Sequence, residues 1–252
     1  MVYYRRHEPD VPVCLEGSGN MVTQLWGRLV QFGFRLLYNE MAWTYDGVSW
    51  VVSLGQWRRW QLAALPYLPP AGPLLEIAHG PGHMLLALGE RGREIHGCDL
   101  SAAMGRQAAQ RMRRAGRPLR LTRCAVQALP YADGSFAGIL ATFPTAYILE
   151  EATLRQLQRL LQPGGRLVIL PEGHLTGGGP VAWLITLLFV LTGQRPAQGR
   201  RQSWEDTLHA SRFWKALTER GAAAGFTFRV DVVNLPRSAC TVISAEKSAE
   251  AV

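Results

Sequence analysis

Two glycines and two carboxylates have the types and spacing to do ligand chemistry in this chain. They lie in Leu74-Leu75-Glu76-Ile77-Ala78-His79-Gly80-Pro81-Gly82-His83 and, beyond the next apolar run, at Asp99. Gly80 and Gly82 carry no Cβ, so a ligand can approach the backbone. A helix starting near His83 offers unpaired N–H groups to a carboxylate or phosphate. Asp99 stands where an acid ending a second strand accepts both hydroxyls of a ribose. Glu76, inside an apolar strand, needs a partner, and a ligand ammonium group would provide one. The dinucleotide fingerprint wants a third glycine three positions after the second. This chain has Leu85 there, which weakens a pyrophosphate reading. His79 and His83 read as polar groups at a helix start or as ligand neighbours, not as catalysts.

The elements that must position these residues follow a regular rhythm. Strands are predicted over 73–78, 93–98, 119–124, 136–142, 166–171, 226–235 and 239–244. Helices are predicted over 83–90, 101–115, 153–161 and 204–224. Ser101 suits an N-cap, and Pro163-Gly164-Gly165 a turn. Strands alternating with helices indicate an α/β fold, a doubly wound, mostly parallel seven-stranded sheet covered on both faces. The Pro236-Arg237-Ser238 turn makes the last strand antiparallel. Ahead of this domain, 21–38 reads as a helix with one polar stripe, Gln24, Arg28, Gln31 and Arg35. A second helix is predicted over 48–65, and Pro66, Pro69, Pro70 and Pro73 then break the chain. Residues 1–70 are therefore an N-terminal helical arm and 71–252 the main domain. An apolar insertion at 172–203 holds the hinge Gly177-Gly178-Gly179 and the apolar run 181–191.

With these elements in place, the sequence resembles the class I S-adenosylmethionine-dependent methyltransferases, in their small-molecule "type 11" group, over roughly 72–244. The resemblance rests on LLEIAHGPGH (74–83), HGCDLS (96–101), Ala128-Leu129-Pro130-Tyr131-Ala132-Asp133-Gly134-Ser135-Phe136 and LLQPGGRLVIL (160–170), in that order. A shorter echo, Tyr45-Asp46, Ser53, Gly55 and Trp57-Arg58-Arg59, resembles the arm of quinone-biosynthesis methyltransferases. The resemblance implies S-adenosyl-L-methionine as cofactor. Glu76 and the backbone around Ala78, His79, Gly80 and Gly82 would hold its methionine end. Asp99 would take the ribose, Leu100 and Met104 would line the adenine, and Thr142 would close the set. Cys124 and Ala125 stand where the family usually has Asp-Ala, which leaves adenine recognition to the Ala125 N–H or to another group. Ala137 departs from a common Asp in the same way.

The acceptor is less legible. Phe143 and Tyr147 follow the fourth strand, at the mouth where the methyl group should point, and either wall a substrate pocket or simply pack the loop. Tyr147, and His174 beside Glu172 in the loop past the fifth strand, are the candidates for a base. The Asn-Pro-Pro-Tyr pattern of base or protein-amide N-methylation is absent. The chain carries 27 Lys and Arg against 19 Asp and Glu, a net +8, which favours anionic partners without choosing among them. The arginines at 106, 111, 113, 114, 117, 120 and 123 have no aromatic residues interleaved, so a nucleic-acid partner is disfavoured. Cys14, Cys98, Cys124 and Cys240 show no metal-ligand spacing, and three of them fit buried free thiols. Without a secretory signal or an apolar run long enough to span a bilayer, a cytoplasmic enzyme with a small hydrophobic acceptor is expected, the alternatives being a peripheral membrane lipid methyltransferase and a cofactor-binding protein without turnover. The arm is read as a lid over the cleft or as a segment lying in a membrane interface.

Overall fold

The computed structural model describes residues 44–176 and 212–247, together with Gly33. The expected helix 21–38, the glycine hinge and the apolar run 181–191 lie outside the described residues.

Strand β1 (Leu74–Ile77) is buried along its whole length. It pairs in parallel with β2 (Ile95–Cys98) on one side and β4 (Phe136–Thr142) on the other. A strand with neighbours at both edges and helices over both faces has no solvent side, hence the unbroken run with an acid in it. Outward from β2 comes the short β3 (Leu121–Thr122). Outward from β4 come β5 (Leu161–Leu175), β7 (Ser238–Lys247) and β6 (Phe226–Leu235). The order β3-β2-β1-β4-β5-β7-β6 is the expected seven-stranded sheet, with β7 antiparallel to both its neighbours.

Alternate residues divide the core into two layers. Leu75, Ile77, Ile139, Leu167 and Ile169 face one layer, closed by α5 (Glu151–Leu160) and α6 (Arg212–Ala223) through Leu154, Leu157, Leu160 and Leu217. Leu74, Leu140, Val168 and Leu170 face the other. There α3 (His83–Glu90) buries Met84, Leu85 and Leu88. Beside it α4 (Ala102–Arg114) buries Met104, Ala108 and Met112, one residue per turn. Ser101 caps α4 as expected, its hydroxyl accepting the Met104 N–H. Each fully buried Leu or Ile contributes about 1.5–3 kcal/mol.

Several elements differ from their predicted bounds, three of them in ways that change the reading of the chain. The single helix expected over 48–65 is two, α1 (Tyr45–Ser53) and α2 (Trp57–Ala63). Leu54 and Gly55 both take left-handed backbone between them. The Ser53 hydroxyl then joins the halves, donating to the Ser49 carbonyl and accepting the Trp57 N–H. Helix α2 lies on the same layer as α3, with Trp60 and Ala64 in the core. The fifth strand, expected over 166–171, continues through Leu175, because Glu172, Gly173, His174 and Leu175 pair with β7 residues 238–241. His174 is therefore on a strand and not in a loop, and no insertion starts before Thr176. The third strand shrinks to two residues at the open edge of the sheet.

Candidate active site

The carboxyl end of β1 turns through an unusual bend. Ala78, Gly80 and Gly82 all have positive φ, at 50°, 55° and 81°. For Ala78 the left-handed backbone costs about 1 kcal/mol. The two glycines serve different ends. A Cβ on Gly82 would sit 2.7 Å from the Ala108 Cβ, so that glycine lets α4 close against the bend. A Cβ on Gly80 would meet nothing within 4 Å, which leaves an open cradle on its backbone.

Asp99 fixes the cradle. One of its oxygens accepts the Gly80 N–H at 2.8 Å and the other the Ser101 N–H at 2.8 Å. Burial raises its pKa, against the opposing pull of His79 and these two amides. Each oxygen keeps a lone pair for a further donor. His79 is buried, with Nδ1 2.7 Å from the Gly80 carbonyl oxygen, and burial lowers its pKa. It braces the bend from inside. Leu100 is 51% exposed beside Asp99, whereas Met104 is fully buried one turn into α4. Cys124 Sγ lies 3.1 Å from Cys98 Sγ, and Cys98, Cys124 and Cys240 are all free thiols. Burial and the Cys124 neighbour push the Cys98 thiol well up, so it stays uncharged.

Glu76 has no exposed surface. Its Oε1 accepts from the Thr142 hydroxyl at 3.4 Å, while Oε2 has no hydrogen-bond partner. Burial, with the nearby Asp99 charge adding to it, raises its pKa to about 8, against the opposing pull of the Thr142 hydroxyl and the Leu85 backbone. A buried carboxylate short of a donor, an open glycine backbone and an acid at the next strand end suit an amino-acid ammonium, a ligand backbone contact and a ribose. These residues fit S-adenosylmethionine.

Of the candidates beyond the cofactor cradle, Phe143 and Tyr147 separate. Phe143 packs with the α2–α3 layer and Tyr147 with the α5–α6 layer. Phe143 takes a left-handed backbone, and its ring stacks on Trp57 at 4.0 Å between centroids. Tyr45 and Trp60 meet the same cluster edge-on. His174 Nε2 lies 3.1 Å from Glu172 Oε1, on either side of Gly173, against which the Trp60 indole packs. Two features had no reading from the sequence. Gln61 on α2 reaches Thr142, with Nε2 3.5 Å from its hydroxyl. Asp46 on α1 binds His83 Nε2 at 2.7 Å and Arg111 at 2.8 Å, and Arg111 also donates to the Pro81 carbonyl. The only hint of the first was a glutamine set between Trp60 and the apolar 62–64. Among the described residues no three His, Cys, Asp or Glu gather to hold a metal.

Known proteins resemble this chain in sequence and in fold. The family described as "Methyltransferase domain" matches residues 74–165. The demethylmenaquinone methyltransferase of Thermus thermophilus is 32% identical over 207 residues, covering 78% of this chain and 94% of that protein. The ubiquinone/menaquinone biosynthesis C-methyltransferase UbiE of Syntrophotalea carbinolica is 32% identical over 141 residues. That match covers 54% of this chain and 60% of the relative's own length. Among solved structures, geranyl diphosphate C-methyltransferase from Streptomyces coelicolor gives a TM-score of 0.53 at 18% identity, over 78% of this chain and 82% of that one. The [4+2]-cyclase SpnF gives 0.54 at 18%, over 77% and 81%. At such identities the likeness concerns the fold alone, and the cyclase shows that the fold hosts other reactions. The sequence match is what decides, for it runs through the glycine bend and Asp99 and spans nearly the whole Thermus relative: the chain belongs to the class I S-adenosylmethionine-dependent methyltransferases and takes S-adenosylmethionine as its methyl donor.

Proposed function

We propose that this enzyme methylates a ring carbon of a small, hydrophobic, quinone-type acceptor in its reduced form. Two of its relatives are named for menaquinone or ubiquinone biosynthesis. The observation that carries the reading is the aromatic cluster Trp57, Trp60 and Phe143 at the carboxyl end of β4, an apolar, flat-sided wall beside the cofactor cradle. The sulfonium supplies a methyl carbon already activated toward displacement, leaving as a neutral thioether. The protein's share is alignment and exclusion of water. A quinol carbon ortho to a hydroxyl is nucleophilic once that hydroxyl loses its proton. Its electron pair forms the new carbon–carbon bond as the carbon–sulfur bond breaks, and the ring proton leaves afterwards. His174, oriented by Glu172 and adjacent to the residue under Trp60, is our candidate to take the hydroxyl proton. Tyr147, in the opposite core layer, is the weaker one. The described part of the arm, α1 and α2, acts as the lid of this cleft.

A second reading concerns where the acceptor is met. On α1, Trp50 is 64% exposed and Val51 53%, an apolar face suited to the surface of a bilayer holding the quinol. No helix among the described residues is long and apolar enough to cross a membrane. One experiment tests both. The protein is given methyl-labelled cofactor and a demethylated naphthoquinol, in detergent or in vesicles of anionic phospholipid. Label in the quinol is expected in both settings, and faster turnover from vesicles would support the surface reading. Label in lipid head groups, or none in the quinol, would overturn the acceptor assignment.

A further inference from the structure

Two shielded acceptors face the same problem from different elements. Glu76 Oε2 on β1 and Gln61 Oε1 on α2 are both buried and both lack a donor. Gln61 is 7% exposed and Glu76 not at all. They are linked, because Gln61 Nε2 lies 3.5 Å from the Thr142 hydroxyl and that hydroxyl 3.4 Å from Glu76 Oε1. With Glu76 ionised, as it is when it holds an ammonium group, the one proton of the Thr142 hydroxyl goes to Glu76. Thr142 can therefore only accept from Gln61, which points the amide nitrogen toward Thr142 and leaves the amide oxygen over. Buried acceptors without donors are rare in folded proteins and mark places where something else binds. The ammonium group of an amino acid brings three N–H donors on one atom, enough for both oxygens.

We propose that Gln61 is a cofactor-binding residue: its Oε1 and Glu76 Oε2 together hold the α-ammonium group of the methionine moiety. Helix α2 lies before residues 74–165, where the methyltransferase domain is matched, so on this account the arm completes the amino-acid end of the site.

The test compares two ligands on one folded protein, which removes differences in stability between variants. S-adenosylhomocysteine and its desamino analogue, with hydrogen in place of the α-amino group, are titrated calorimetrically into wild type, Gln61→Leu and Gln61→Met. Both substitutions should weaken S-adenosylhomocysteine about tenfold and change the desamino analogue less than about twofold, the loss of one hydrogen bond to a charged group. An equal loss on both ligands would make Gln61 a packing residue only, and unchanged S-adenosylhomocysteine binding would remove it from the site. Either result overturns the clamp and leaves the methyltransferase assignment standing. A wild type that binds neither ligand would overturn both.

Discussion

Glu76 shows how much of the site's chemistry follows from one residue's place on one strand. Burial holds its carboxyl neutral up to about pH 8, whereas in the unfolded chain it ionises near its ordinary value of 4.5. Between these values the folded protein binds more protons than the unfolded one, so this residue makes stability fall as pH rises through the window. The full effect is on the order of a few kcal/mol. Glu76→Gln should remove that part of the slope, leaving ligand-free protein more stable than wild type at pH 8 and little changed at pH 4. A bound ammonium favours the carboxylate, so cofactor binding at pH 7 should release a proton from Glu76. Affinity for S-adenosylhomocysteine should then climb with pH and flatten above about 8. Calorimetry in buffers of different ionisation enthalpy reads the proton directly, and the same release in Glu76→Gln would assign it elsewhere. Glu76, Gly80, Gly82 and Asp99 were legible because the bend is contiguous in sequence and Asp99 ends the next strand. Gln61 was not, because only the packing of α2 on the sheet brings it to Thr142.

At the scale of elements, the arm is tied to the glycine bend by charge as well as by packing. Burial pushes the Asp46 carboxyl up, but the His83 hydrogen bond and the Arg111 charge outweigh it and hold the pKa below its ordinary value. The clasp is therefore intact at neutral pH and is lost as pH falls through that lowered value. Asp46 is half-exposed and its two partners partly so, and Asp46→Asn should therefore cost less than about 1 kcal/mol of global stability. The local consequence is larger, since α1 loses its link to the head of α3 and to α4. Trypsin cleavage at Arg58 and Arg59 in ligand-free protein should accelerate severalfold in Asp46→Asn, with the unfolding midpoint nearly unchanged. Equal cleavage rates would show that the aromatic packing of α2 alone holds the arm. The split of α1 from α2 was hidden because Leu54 is an ordinary helix former that the cap forces into left-handed backbone. The long β5 was hidden because Glu172 and His174 look like loop residues until β7, some 65 positions later, supplies their ladder.

Over the whole molecule, the α/β alternation, the parallel sheet and the closing hairpin were readable because each strand's pattern is local and the parallel connections leave few topologies. Which face a loop residue joins was not. Phe143 and Tyr147 are four residues apart and belong to opposite layers, a result of the turn after β4 that periodicity does not encode. That division predicts how a ligand is felt across the protein. The cradle draws on β1, the bend at 78–82, Asp99 and Thr142, and α2 packs over it on the α3–α4 layer. Ligand binding stabilises what it touches and what must stay closed for it to be held. Hydrogen exchange on adding S-adenosylhomocysteine should therefore slow in α2 (57–63) by a factor similar to that at 78–83. Exchange around 146–149, in the far layer, should change little. If the bend slowed while α2 did not, the arm would be a neighbour of the cofactor and not part of its site. If 146–149 slowed equally, the sheet would be responding as one cooperative unit, and the two-layer account of lid and core would fail.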